Sequence, residues 1–257
     1  MKPLILQRLN MDTTWHCAMG NLKLLIDPWL MGSEVDYFGW FNTQWHRTPP
    51  TTWNDLPPFD SVLITQKYPD HCHPETLKAL KPQRIIAPEH MLKRLHALVP
   101  SASLLGVKAD PEGVKHCGIS IKLLASHRSR DPIYDAFLLD DGHQSLIIAP
   151  HGLNVTNEHI EIVQSASPIK ILLAPFDHYQ LPGLLGGIIK PGIPGLHNLV
   201  HLFSPEIVIQ THDEDKHARG IVSQLAQVKA FSINDLNEHT WLSKRHHLIS
   251  NYQPVTF

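Results

Sequence analysis

Acidic and histidine side chains follow short apolar runs at four places in this sequence. They are Asp70 with His71, His127, His151, and His212 with Asp213. Neutral imidazole and carboxylate groups are the usual zinc ligands, and three or four of them hold the ion in most protein sites. Because side chains at strand ends meet at one edge of an α/β sheet, we expect these groups to converge. The pattern predicts a site for a divalent metal ion.

Each of these residues also has an interpretation without a metal. Asp70 could cap the helix that follows it, and the acidic residues after His212 could cap the next helix. His151 could fill the pocket with an imidazole that needs no ion. His127 lies close to two arginines, which disfavour a bound cation unless they bind the substrate. The chain has 19 histidines, so a general enrichment in this residue is a further explanation.

The elements that must position these side chains are short strands interleaved with helices. Apolar runs of strand length are followed by polar clusters and then by helical stretches, in two successive halves. The predicted strands are 22–26, 61–65, 84–87, 103–107, 119–125, 135–139, 145–149, 169–174 and 206–211. The predicted helices are 74–80, 90–98, 196–203 and 216–228. The predicted long loops are 32–60 and the Gly- and Pro-rich stretch 181–195.

Length and composition fit one large core. The 257 residues are 42% hydrophobic, and we expect a single domain over residues 1–257. A net charge of -2, with 18% charged residues, gives no basic surface for nucleic acid. Cys17, Cys72 and Cys117 are scattered, and we find neither a secretion signal nor an apolar run that could span a membrane. These features predict a cytoplasmic protein and leave the oligomeric state open.

Four segments resemble the metallo-β-lactamase superfamily, in the order in which that family has them. They are 26–30 after an early strand, 65–71, 147–152 and 208–212. The second aligns with the family's His-x-His-x-Asp-His signature, and the last resembles the strand that ends in its final histidine ligand. The resemblance covers nearly the whole chain. It implies an α/β (α+β) protein built as a four-layer αββα sandwich, with metal at one edge of the two sheets.

The sequence departs from the family pattern at three ligand positions. Gln66 and Tyr68 replace the first two signature histidines, and His151 replaces the bridging aspartate. The resemblance therefore implies that one of the two family metal sites is lost. The implied ligands of the remaining site are Asp70, His71, His151 and His212. The implied cofactor is one divalent metal ion, with zinc expected first and manganese or iron as alternatives.

The resemblance implies a metal-dependent hydrolase that acts on a small-molecule lactone, ester or phosphodiester. Asp70 would bind the metal or accept a proton, and His178 or Tyr179 would assist the leaving group. The residues expected to contact the substrate are Gln66, Tyr68 and His127, and His127 is also the candidate for the family's third histidine motif. The replaced ligands leave an alternative open, a metal-free protein of the same fold that binds a ligand without catalysis.

Overall fold

The computed structural model of this chain contains two large β-sheets with helices on their outer faces. It describes residues 2–126, 133–231, 236 and 238–257. The first large sheet contains β1 (Ile5–Arg8), β2 (Trp15–Met19), β3 (Leu22–Ile26), β6 (Ser61–Leu63), β7 (Arg84–Pro88), β8 (Ser103–Val107) and β20 (Val255–Thr256). The second contains β9 (Val114–His116), β10 (Ile119–Leu124), β11 (Ala136–Asp140), β12 (Ser145–Ile148), β13 (Ile169–Ala174), β16 (Ile207–Gln210) and β19 (His246–His247). Their spatial orders are β20-β1-β2-β3-β6-β7-β8 and β19-β16-β13-β12-β11-β10-β9.

Two small sheets and several helices complete the described structure. One small sheet contains β4 (Ser33–Asp36), β5 (Asn42–His46) and β17 (Lys216–Arg219), and the other contains β14 (His178–Gln180), β15 (Ile188–Pro191) and β18 (Gln227–Lys229). The α-helices are α1 (Pro74–Leu80), α2 (Leu92–Leu98), α3 (Asn157–Gln164), α4 (Ile193–Phe203), α5 (Ile221–Leu225) and α6 (Thr240–Ser243). Short 3-10 helices span Trp53–Asp55, Glu89–Met91 and Gly183–Leu185.

Three apolar clusters define the layers of an αββα sandwich. In β13, Ile171 and Leu173 pack between the two large sheets, whereas Leu172 and Ala174 pack with residues of α3 and α4. A third cluster joins the outer face of the first sheet to α1 and α2. Because side chains alternate along a strand, a shift of one residue would exchange these two faces, so burial of both faces fixes the register. The predicted four-layer fold is confirmed.

Parallel pairing brings several strand ends to one edge of the sandwich. β3, β6 and β7 are parallel neighbours in the first sheet, as are β12, β13 and β16 in the second. The segments that leave the carboxyl ends of these strands therefore lie close together, which is the usual position of an active site in open α/β sheets. The predicted hairpin of β11 and β12 is also present, and the two strands pair antiparallel.

The predictions for the segments outside the large sheets are partly wrong. The expected loop 32–60 contains the hairpin of β4 and β5, and the expected loop 181–195 contains β15 and the start of α4. The expected helix 216–228 is instead β17, the short α5 and β18. Gly220 explains the last difference, because its φ is +112° and a Cβ there would lie 2.6 Å from the carbonyl oxygen of Phe41. A helix cannot continue through that position.

Within the described residues, the helices are too short or too polar for any of them to cross a membrane.

Candidate metal centre

Four side chains that were predicted to converge lie in one buried cluster at this edge. They are Asp70 and His71 after β6, His151 after β12, and His212 after β16. One ligand atom from each of the four lies within 4.8 Å of the others. Nε2 of His71 and Nε2 of His151 are 3.0 Å apart, and Nε2 of His212 is 3.2 Å from Oδ2 of Asp70. Three imidazole nitrogens and one carboxylate oxygen thus surround a common point.

The opposite nitrogen of each histidine faces an oxygen atom. Nδ1 of His71 is 2.7 Å from Oδ2 of Asp27, and Nδ1 of His212 is 3.0 Å from Oδ1 of Asp12. Nδ1 of His151 is 3.4 Å from the carbonyl oxygen of Ile189. An oxygen acceptor at Nδ1 favours the tautomer with the proton on that nitrogen, which leaves the Nε2 lone pair free for a metal. His71 and His151 make this hydrogen bond, whereas Nδ1 of His212 lies close to Asp12 without an aligned one in the described structure.

The contact between His71 and His151 accommodates either a proton or a metal ion. Burial, together with the neighbouring His212 and His71, holds the pKa of His151 well below its ordinary value, so its ring is neutral. Burial opposes charge on His71, but Asp70 and Asp27 raise its pKa above the ordinary value, so a proton there could bridge the two rings. That proton would leave Nε2 of His212, a buried atom without an aligned hydrogen bond in the described structure, unsatisfied. A metal ion would satisfy all three nitrogens, so the residues fit a metal.

Two carboxylates that orient these histidines were not identified as site residues from the sequence. Asp27 accepts hydrogen bonds from the backbone N–H of Thr65 at 2.7 Å and from the Thr65 hydroxyl, so its position beside His71 is fixed. Asp12 is fully buried in the turn between β1 and β2. Asp27 directly follows an apolar strand, a signal that could have found it. Asp12 could not be predicted as a site residue, because its role depends on contact with His212, which is distant in the sequence.

Buried cations balance part of the negative charge around the cluster. Nζ of Lys216 lies 3.2 Å from Oδ2 of Asp12 and 3.6 Å from Oδ2 of Asp70. Lys190 forms an ion pair with Glu214 and donates a 2.7 Å hydrogen bond to the carbonyl oxygen of His212. Burial opposes charge on Asp70, but His71, Lys216 and His212 together hold its pKa well below the ordinary value, so the carboxyl is ionised.

Glu34 of β4 reaches the same region. Its side chain is buried, and burial with the nearby charge of Asp70 raises its pKa well above the ordinary value. Its Oε2 atom has no hydrogen-bond partner among the described residues. The hairpin of β4 and β5, which was predicted as a loop, therefore contributes the Glu34 side chain to the surroundings of the site.

The backbone is in the left-handed region at two residues of the site. φ is +44° at Asp27 and +60° at His212. Such conformations are uncommon for residues other than glycine and cluster at functional sites. At His212 the surrounding contacts hold the conformation, because its N–H donates a 2.9 Å hydrogen bond to the carbonyl oxygen of Asp12. In this conformation Nε2 of His212 lies 3.2 Å from Oδ2 of Asp70.

The residues predicted to contact substrate are only partly placed. Gln66 is buried; its side-chain N–H donates to the carbonyl oxygen of Ile133, and its Oε1 has no hydrogen-bond partner among the described residues. Tyr68 is half-buried, and its carbonyl oxygen accepts 3.0 and 2.7 Å hydrogen bonds from the N–H groups of His71 and Cys72. His127 lies outside the described residues.

The two predicted proton donors lie on β14. His178 and Tyr179 are half-buried, and no hydrogen bond within the described part of the chain joins either to the four clustered residues. Nζ of Lys190 is 5.8 Å from the centre of the Tyr179 ring. Burial, with the charge of Glu214, raises the pKa of Tyr179, so its hydroxyl remains protonated.

His73 caps a helix although it is close to the signature. It is the N-cap of α1, and its Nδ1 accepts a 3.2 Å hydrogen bond from the N–H of Thr76. The neighbouring Cys72 is buried in the apolar cluster under α1, where burial raises the pKa of its thiol to about 11. Neither side chain belongs to the group of four.

Replacing His73 with alanine should therefore reduce stability without releasing metal. We expect a loss of about 1 kcal/mol in the free energy of unfolding, which is typical for removal of an N-cap. Urea denaturation would measure it, and elemental analysis would follow the metal. His73→Asn, which can also cap the helix, should recover most of the stability. Loss of metal from His73→Ala with unchanged stability would instead make His73 a ligand.

Comparison with known proteins agrees with the observed architecture. The profile of the Beta-lactamase superfamily domain matches residues 11–212. A metallo hydrolase from the hyperthermophilic archaeon Ignicoccus hospitalis KIN4/I superposes with a TM-score of 0.69 at 16% identity, over 100% of this chain and 99% of that one. An isothiocyanate hydrolase from Delia radicum gut bacteria superposes with a TM-score of 0.71 at 16% identity, over 98% of this chain and 99% of that one.

A third similar structure is that of a hydroxylase rather than a hydrolase. This diiron beta-hydroxylase from Streptomyces venezuelae superposes with a TM-score of 0.67 at 14% identity, over 100% of this chain but only 54% of that one. No curated protein matches the sequence. At such low identities the three structures establish the fold alone.

Proposed function

This chain belongs to the metallo-β-lactamase superfamily, and on that basis we propose that it is a hydrolase with one divalent metal ion. The proposed ligands are Asp70, His71, His151 and His212. The observation that carries the proposal is the orientation of the three imidazoles. Nε2 of His71 faces Nε2 of His151, Nε2 of His212 faces Oδ2 of Asp70, and each Nδ1 lies near an oxygen atom. Oriented imidazoles of this kind are typical of metal ligands.

The charge around the cluster supports a divalent ion. With neutral histidines, the carboxylates of Asp12, Asp27, Asp70 and Glu214 are opposed by the ammonium groups of Lys190 and Lys216. Four negative and two positive charges leave two negative charges in a buried site. Uncompensated buried charge is costly, and a divalent cation would neutralise it. Metal binding would displace the proton that Asp70 and Asp27 favour on His71.

Each proposed site residue would have a separate role in hydrolysis. When bound, the metal would acidify water and polarise the scissile carbonyl or phosphoryl group. Asp70 would bind the metal or accept a proton, and its low pKa keeps the carboxylate ionised and available as a ligand. Tyr179, which remains protonated, would donate a hydrogen bond or a proton to the leaving group, and His178 is the alternative donor on the same strand.

We propose a small-molecule lactone, ester or phosphodiester as the substrate class. Each has an oxygen that a metal can polarise and an oxygen leaving group that a protonated phenol can assist. Gln66 and Tyr68, together with His127, are the proposed substrate contacts. Zinc is the first choice of metal because imidazole nitrogen and carboxylate oxygen suit it, and manganese or iron would also accept this ligand set.

Metal analysis of the purified chain tests this proposal. Protein expressed without a histidine tag in metal-replete medium should carry about one equivalent of divalent metal, because one four-ligand set is formed. Inductively coupled plasma mass spectrometry gives the content. The metal-loaded protein should hydrolyse at least one of a lactone, a thioester and bis-p-nitrophenyl phosphate. A metal content near zero would instead favour the metal-free binding protein, with His71 and His151 sharing a proton.

A further inference from the structure

Lys216 places a permanent positive charge at the centre of the acidic groups. It is the first residue of β17 and pairs with His46 at the end of β5. Its side chain is 4% exposed, and its Nζ lies 3.2 Å from Asp12, 3.6 Å from Asp70 and 3.9 Å from Glu214. An ammonium group so deeply buried persists only where carboxylates surround it.

The same carboxylates would otherwise form a second cation site. Both oxygens of Asp12 are buried and make no aligned hydrogen bond in the described structure. Oδ2 lies 3.2 Å from Nζ of Lys216, and Oδ1 lies 3.0 Å from Nδ1 of His212. Oδ2 of Asp70 faces Nε2 of His212 on one side and Nζ of Lys216 on another. Carboxylate oxygens at such spacing are the ligands that hard divalent cations prefer.

We propose that Lys216 acts as a built-in second cation that restricts the cluster to one divalent metal ion. The inference rests on the proposed function, because it presupposes a metal held by Asp70 and the three histidines. Lys216 is a positioning residue in this account. Its ammonium group lies beside Asp12 and Asp70, where a second ion would bind, and its charge repels that ion.

The experiment is a titration of the metal-free protein with Mn²⁺. Calorimetry and electron paramagnetic resonance measure how many ions bind and how tightly. Wild type should bind one equivalent. Lys216→Met, which keeps the volume of the side chain but removes the charge, should bind a second equivalent, and the first should bind about tenfold more tightly because a nearby repulsive charge is gone. Lys216→Arg keeps the charge and should remain at one equivalent.

Lys190 provides a matched control. It is also a buried lysine paired with Glu214, but its ammonium group contacts the backbone of His212 and forms no ion pair with Asp12 or Asp70 in the described structure. Lys190→Met should therefore stay at one equivalent. If Lys216→Met does not fold, as judged by circular dichroism, Lys216→Gln retains hydrogen-bond donors for the carboxylates and carries the same expectation.

The outcomes separate this inference from the proposed function. One equivalent with unchanged affinity in both wild type and the uncharged Lys216 variants would overturn the role of Lys216 alone. No bound metal in wild type would overturn the proposed function. A second equivalent in both Lys216→Met and Lys190→Met would show that overall charge, rather than the position of Lys216, sets the number of ions, and would also overturn the inference.

Discussion

Replacing His212 with alanine is expected to remove the bound metal and the hydrolytic activity together. The substitution deletes one of the three proposed imidazole ligands and removes the ring that faces Oδ1 of the buried Asp12. On the proposed function, the metal would supply several kcal/mol of transition-state stabilisation, so kcat/KM should fall at least about a thousandfold. Elemental analysis and assays with the best substrate of the panel would measure the two effects.

His217 offers a matched control for this substitution. It is an exposed histidine five residues further along the chain, and its ring packs against Trp45 rather than in the cluster. His217→Ala should keep both metal and activity. A folded His212→Ala protein that retains one equivalent of metal and wild-type kcat/KM would show that His212 is not a ligand. Asp70→Ala tests a second proposed ligand. Unlike His212, Asp70 does not have a positive φ, so this substitution does not alter a strained backbone position.

Asp27→Asn should weaken metal binding although Asp27 is not in the group of four. The carboxylate of Asp27 is in hydrogen-bond contact with both Thr65 and His71. The asparagine keeps the shape of the side chain but has one acceptor oxygen in place of two. His71 would then lose the acceptor that fixes its tautomer. Loss of such a partner typically lowers metal affinity about 10- to 100-fold. Competition with a chromophoric chelator would give the change in Kd.

The comparison for Asp27 is Asp60, an exposed aspartate just before the other end of β6 that accepts a hydrogen bond from the N–H of Lys23. Asp60→Asn should leave the metal Kd unchanged. If Asp27→Asn lowers the thermal midpoint but does not alter the Kd, then Asp27 supports the Thr65 turn and does not tune the metal ligand. An equal loss of affinity in both variants would point to a general electrostatic effect.

The residues that replace family ligands make their own contacts in this structure. Gln66 and Tyr68 stand where the family signature has histidines, and Gln66 uses its amide N–H to hold the carbonyl oxygen of Ile133. His151, in the place of the bridging aspartate, turns its Nε2 toward His71. The resemblance implies that one of the family's two metal sites is lost, and the described structure contains one group of four residues that could hold a metal ion.

The strands were predictable from the sequence because they depend on local periodicity, whereas the sandwich was predicted from the resemblance to the family. Runs such as 145–149 and 169–174 are apolar on both faces, which is typical of strands covered on both sides. The order of the resembling segments then predicted the αββα layers. The same reasoning failed for 216–228, because a run with helical composition does not reveal that Lys216 is buried among carboxylates or that Gly220 packs against Phe41.

By itself, the sequence determined which side chains follow the strand ends, and so it predicted that Asp70, His71, His151 and His212 could meet. Only the tertiary structure decided what surrounds them. Asp12 and Lys216 are 204 positions apart in the chain, yet Asp12 Oδ2 and Lys216 Nζ lie 3.2 Å apart. Contacts of this kind arise from the pairing of β17 with β5 and from the packing of two sheets. No local pattern encodes them, because each partner alone has the composition of an ordinary polar turn.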